Sequence, residues 1–120
     1  MTRLAEGHCV PCRGGVPPLG AEQIAPLLAR LDGWTVVRGH HLEKRFPLPD
    51  FATALELVNR IGEVAEAEGH HPDIALGWGY VEVRIWTHKI DGLTESDFIL
   101  ADKCDAARSA PPADHRGDAG

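Results

Sequence analysis

Cysteine is scarce in this 120-residue chain: three residues, an odd number, too few and unevenly matched for the disulfide framework of a small secreted domain. Basic residues are also in short supply. Twelve Lys and Arg face eighteen Asp and Glu, a formal charge of -6, which argues against a surface built to neutralise phosphates and so against direct nucleic-acid binding. No apolar run approaches the ~20 residues needed to cross a bilayer. Met1 to Val10 lacks the apolar stretch of a secretory signal, so the expected address is the cytoplasm and no membrane partner is expected. Internal repeats are missing as well. What remains is one soluble domain with a hydrophobic fraction of 43% and a charged fraction of 25%, both ordinary globular values.

Two of the cysteines, Cys9 and Cys12, form a lone CxxC beside His8, ahead of Gly14-Gly15-Val16-Pro17-Pro18. Half of a zinc site is not a zinc site. The expectation is a reduced thiol pair in an irregular arm over residues 1–18, with redox chemistry or a metal shared between subunits as the alternatives.

A first helix follows, with Ile24, Leu27, Leu28 and Leu31 on one face and Asp32-Gly33 at its end. Pro26 removes a backbone donor past the first turn, so this helix either starts late or kinks. Trp34–Val37 and His41–Phe46 read as a hairpin turning at Arg38-Gly39-His40. Trp34 is expected in the core, and His40 and His41 at the hairpin tip as solvated loop residues. Asp50 is a good N-cap for a long helix reaching Glu68. Phe51, Ala54, Leu55, Val58, Ile61 and Ala65 form its expected inner stripe. Leu57 and Val64 widen the arc beyond what one sheet face needs, which points to contact with another subunit.

Gly69 ends that helix, and His70-His71-Pro72 follow directly. Asp73–Leu76 and Tyr80–Thr87 read as two more strands around a Gly77-Trp78-Gly79 turn, with His88 at the strand's end. Thr94 fits an N-cap and Asp97 the third position of a capping box, with Leu93 and Phe98 as a hydrophobic staple, so Asp97 reads as structural. The last helix should fade near Ala107, leaving 108–120 as a disordered tail. The order α-β-β-α-β-β-α with tight strand connections predicts a single-domain α+β fold over 19–107: a four-stranded antiparallel sheet with helices on one face.

Three histidines at element ends point to proton transfer, because imidazole both donates and accepts near neutral pH. His70 lies where unpaired helix carbonyls favour a positive charge, and Glu66 is one turn back, in reach of its ring. Pro72 restricts His71 to extended backbone, so the rings of His70 and His71 should diverge. Three imidazoles and a carboxylate are also a set that zinc accepts, but neighbours that point apart are poor co-ligands, and no metal is expected.

Glu66, His70-His71-Pro72, Trp78, His88 and Asp97, at these spacings, resemble the signature of the pterin-4a-carbinolamine dehydratases. Gly33-Trp34, Phe46, Asp50-Phe51, Gly92-Leu93-Thr94 and Leu100-Ala101 extend the likeness to roughly Leu19–Ala107; the CxxC arm lies outside it. The resemblance implies a hydro-lyase that removes water from a 4a-hydroxytetrahydropterin, the species left when a pterin-dependent aromatic amino-acid hydroxylase turns over. It implies no metal or cofactor, and assembly as dimers or tetramers through helices. By the same resemblance His70, His71 and His88 are the catalytic set, with His70 and His88 in the acid/base roles and His71 holding the pterin. Glu66 orients, and Trp78 lines the pocket or packs. The alternative is a non-catalytic protein-binding module on this fold, a dimerisation cofactor or an assembly factor.

Overall fold

A computed structural model describes residues 4–7 and 17–109; the Cys9/Cys12 pair and the tail from 110 onward lie outside the described residues. The elements are α1 (Ala21–Leu28), β1 (Thr35–Val37), β2 (His41–Pro47), α2 (Phe51–Glu68), β3 (Asp73–Gly77), β4 (Tyr80–Ile85) and α3 (Glu95–Ser109), with single 3-10 turns at Leu4–Glu6 and His88–Ile90. The strands form one antiparallel sheet in the order β1-β2-β4-β3. This is the α+β single-domain architecture that the hydrophobic periodicity predicts. No described helix is long and apolar enough to cross a membrane.

Strand alternation decides which face is covered. Leu42 and Phe46 of β2 and Val81, Val83 and Ile85 of β4 are buried with Ile61 of α2 and Phe98 and Leu100 of α3 in one core, while Glu43, Arg45, Glu82 and Arg84 take the other face. Lys44 shares the parity of Leu42 and Phe46, so its charge must be met on the helix side. Its Nζ donates to Asp105 Oδ1 of α3 (2.8 Å), whose other oxygen accepts from Trp34 Nε1 (2.9 Å). Trp34 is thus a core residue, as expected, and Asp105 ties the start of the hairpin to the last helix.

Four local expectations change. Helix α1 starts at Ala21, ahead of Pro26 and not after it, and runs on to Leu28, so the proline removes one intrahelical bond, the one to the Glu22 carbonyl. The buried line of α2 is Ala54, Leu57, Ile61 and Ala65, rotated from the expected stripe. Leu57 is therefore core, whereas Phe51 and Leu55 are 48% and 45% exposed. Strand β4 stops at Ile85, because Thr87 leaves the ladder for a bridge with Gly92, so His88 opens a 3-10 turn and does not end a strand. Finally, α3 extends through Arg108 to Ser109, past the expected fade. Leu4 is buried in the common core, and Ala5 bonds α3 through Asp102 and Lys103.

Candidate active site

Helix α2 ends as its sequence requires. Gly69 adopts the left-handed conformation (φ 65°), and the N–H groups of Gly69 and His70 both close onto the carbonyl of Ala65. This reversal turns His70 inward and sends His71 back over the last turn of α2. His70 Nε2 meets Asp97 Oδ1 at 2.6 Å, and His71 Nε2 meets Glu66 Oε2 at 2.7 Å. The rings of His70 and His71 do diverge, but the expected pairing of Glu66 with His70 is replaced: Glu66 serves His71, and Asp97 serves His70.

The two pairs differ in environment, and the difference matters chemically. The His71 side chain is 60% exposed and its partner more so, which makes that pair screened and adjustable. The His70 side chain is only 15% exposed and Asp97 is fully buried. A buried carboxylate needs every oxygen met. Asp97 satisfies this requirement: Oδ1 accepts from His70, while Oδ2 accepts from the Thr87 hydroxyl (2.8 Å) and the Thr94 backbone N–H (2.8 Å). The bond to Thr94 is half of the anticipated capping box. The Thr94 hydroxyl does not complete the box and instead lies 3.0 Å from that of Thr87.

Asp97 is therefore drawn into the candidate site, where the capping argument assigned it only a structural part. One carboxylate can do both, because its two oxygens offer about four lone-pair sites and the cap uses one of them. Through the other bonds it joins the end of α2 to Thr87, the residue immediately before His88. His70, Thr87 and Asp97, distant in sequence, meet here. With the carboxylate ionised, the 2.6 Å bond requires the proton on His70 Nε2, which leaves Nδ1 with a lone pair. A neutral imidazole so placed can accept a proton at Nδ1 with a counter-ion already in contact.

His88 is exposed, and among the described residues its ring makes no hydrogen bond. Its neighbour is Trp86, with ring centroids 4.4 Å apart and planes at 62°. Trp78 is not brought to this site. The register places Asp73 opposite Arg84 and Gly77 opposite Tyr80, so the histidines lie at one end of the β3–β4 hairpin and Trp78 at the other, about four residues or ~13 Å along the strand. At 73% exposed, it neither packs nor lines a pocket with these histidines within one chain. His40 and His41 also depart from expectation. They are packed against Trp86 at centroid distances of 5.2 and 5.8 Å, and burial holds the His41 imidazole below its ordinary pKa, assisted by the neighbouring His40.

Sequence and fold comparisons converge on one family. The model of the pterin 4 alpha carbinolamine dehydratases matches residues 17–107. A pterin-4-alpha-carbinolamine dehydratase homologue of Rubrobacter xylanophilus is 56% identical over 105 residues, covering 88% of this chain and 98% of that one. A homologue from Alkaliphilus metalliredigens is 48% identical over 110 residues, covering 91% and 99%. The crystal structure of a transcriptional coactivator/pterin dehydratase from Brucella melitensis superimposes with a TM-score of 0.72 at 32% identity, over 76% of this chain and 98% of that one. A pterin dehydratase-like RuBisCO assembly factor of the alpha-carboxysome shares the fold at a TM-score of 0.56 and 22% identity, over 67% of this chain and 94% of that one. Relatives named as dehydratases and matched along nearly their whole length leave one conclusion: the chain belongs to the pterin-4a-carbinolamine dehydratase family.

Proposed function

We propose that this protein converts a 4a-hydroxytetrahydropterin to the quinonoid dihydropterin and water, with His70 as the base and His88 as the acid. Hydroxide leaves poorly, so the 4a-oxygen must be protonated as the C4a–O bond breaks. The N5–H bond supplies the electron pair for the new C4a=N5 bond, and its proton goes to the base. Water departs with the acid's proton, and exchange with solvent resets both imidazoles. Positioned proton transfer of this kind contributes ~10²–10⁴-fold.

The observation that supports the assignment is the buried carboxylate of Asp97, bonded at once to His70 and to Thr87 beside His88. His70 Nδ1 carries the free lone pair, and the imidazolium formed there is stabilised by Asp97, as in any carboxylate–imidazole base. His88 rests against the Trp86 indole, with ring centroids 4.4 Å apart, and among the described residues no carboxylate bonds its ring. His71, held by Glu66 at the open side, is the pterin-holding residue of the scheme. The half-exposed Phe51 and Leu55 on α2 support self-association as a dimer or tetramer. On this reading the protein acts in pterin recycling beside an aromatic amino-acid hydroxylase, and the cytoplasm is the proposed compartment.

The test is the decay of 4a-hydroxypterin absorbance, followed by stopped flow with the purified full chain. His70→Ala and His88→Ala should each lower kcat by ~10²–10⁴-fold with the circular dichroism of the fold retained. Variants that match wild type while a second protein co-purifies would replace the enzyme with the protein-binding module.

A further inference from the structure

His88 stands on a turn outside the sheet, exposed and without a hydrogen bond to its ring among the described residues. General acid chemistry nevertheless requires its ring in a narrow range of positions, since misplacement by ~1 Å costs up to 10²-fold. Something has to restrict it. Its own Trp86 is the neighbouring wall, 4.4 Å between centroids, but Trp86 lies beyond the last paired residue of β4 and is not held by the ladder.

What holds Trp86 comes from the β1–β2 hairpin. Arg38 and Gly39 both take positive φ (51° and 67°), the pattern of a type I′ turn, and the chain reversal brings two imidazoles onto the indole. His40 and His41 lie 5.2 and 5.8 Å from the Trp86 ring and pack against each other edge-on. The same tip reaches across to the far side of the turn. His40 Nε2 bonds Asp91 Oδ1 at 2.7 Å, and the backbone N–H of Asp91 closes the His88 turn onto the carbonyl of His88. Asp91 does so in a left-handed conformation (φ 52°), which aspartate tolerates better than most residues.

The protons along this contact run in one direction. An ionised Asp91 requires the N–H of His40 on Nε2, so His40 Nδ1 accepts, and His41 Nδ1, 3.0 Å away, must donate. Burial of the His41 ring, and after it the neighbouring His40, lower its pKa and so disfavour a charged form of that donor. The two hairpin histidines therefore grip the turn at both flanks, Trp86 two residues before His88 and Asp91 three residues after it.

We infer that the tip of the β1–β2 hairpin is a clasp that positions His88, with His40, His41, Trp86 and Asp91 as positioning residues for the dehydration. None of the four contributes a proton to the substrate; each acts through the orientation of His88. The inference rests on the acid role proposed for His88, and the experiment separates the two.

The full chain, labelled at its histidine rings with ¹⁵N and ¹³C, is followed by NMR alongside the dehydratase assay for wild type, His40→Ala, Asp91→Ala, the double variant, Asp91→Asn, Trp86→Leu and Trp86→Phe. His40→Ala and Asp91→Ala should each lower kcat about tenfold with KM within about twofold. The double variant should be no worse than either, because both remove the same bond. Asp91→Asn keeps an acceptor and should stay near wild type. Trp86→Leu should abolish the ring-current displacement of the His88 ring signals and lower kcat, and Trp86→Phe should restore both. The clasp is refuted if the His88 signals of His40→Ala match wild type, if the two single losses multiply in the double variant, or if KM rises with kcat unchanged. His88 signals that move as expected in His40→Ala, in a protein whose wild type turns over no pterin, sink the dehydratase reading and keep the clasp. Turnover that is lost in His88→Ala but intact in all clasp variants does the reverse.

Discussion

Asp97→Asn perturbs the site at the atom where its parts converge. The carboxylate accepts from three donors: His70 on Oδ1, and the Thr87 hydroxyl and Thr94 N–H on Oδ2. An asparagine has one acceptor oxygen and one donor nitrogen in the same plane. The Thr94 N–H cannot reverse its polarity, so the amide oxygen stays at the Oδ2 position and the amide nitrogen faces His70. Two N–H groups cannot bond one another. The imidazole must then present a lone pair at Nε2 and carry its proton on Nδ1, the atom proposed to receive the substrate's proton.

The magnitudes separate this effect from unfolding. The bonds to Thr87 and Thr94 survive without charge assistance and the bond to His70 becomes a neutral one, while removal of the buried charge offsets part of these losses and leaves a net cost of about 1 kcal/mol. For a domain of this size that is roughly 4–8 °C in Tm, which leaves the folded population essentially intact at 25 °C. The wrong tautomer removes general base catalysis, ~10²–10⁴-fold in kcat, or about 3–5 kcal/mol at 1.36 kcal/mol per decade. Stopped-flow absorbance and thermal melts on the same preparation give both numbers. An Asp97→Asn enzyme within about threefold of wild type would refute the tautomer argument, as would a rate loss that vanishes once activity is normalised to the folded fraction.

The remaining predictions concern acid stability and assembly. His41 has its pKa lowered by burial, by His40 and by Arg84 and Arg38, with Glu43 opposing, so below its ordinary 6.5 the unfolded chain takes up a proton that the folded chain resists. Stability should therefore fall as pH drops from 6.5 toward the folded pKa, and His41→Gln should flatten that part of a Tm-against-pH curve; an unchanged slope would show that His41 is not the group responsible. Phe51→Glu with Leu55→Glu should convert an oligomer to monomer in sedimentation without lowering the monomer's helix content, and an unchanged sedimentation coefficient would remove α2 from the interface.

Local signals were enough wherever the physics is local. The cap at Asp50, where the Thr53 hydroxyl and, after it, the Thr53 backbone N–H bond the side chain and hold its pKa down, and the left-handed Gly69 fix both ends of α2. Alternation in β2 and β4 fixes the core face, and the ordering of elements fixes the sheet. The failures share a cause. Leu57 and Phe51 differ in depth because α3 and the sheet choose which side of a wide apolar arc is covered, and nothing within α2 records that choice. His88 leaves the strand because Thr87 finds Gly92 and Asp97, partners five and ten residues on, and a strand propensity cannot register such a competitor. Glu66 and His70 sit one turn apart and so invite pairing, yet the reversal at Gly69 gives His70 to a carboxylate 27 residues away. That same carboxylate shows how Asp97, read from the sequence as structural, also comes to lie in the candidate site. The cap is written in its neighbours, Thr94 and Phe98, and claims one lone pair. The site is written in which distant groups take up the others, and those groups are selected by burial: an ionised carboxylate in the core must have all its oxygens met, so the chain that buries it also has to deliver His70 and Thr87 to the same point.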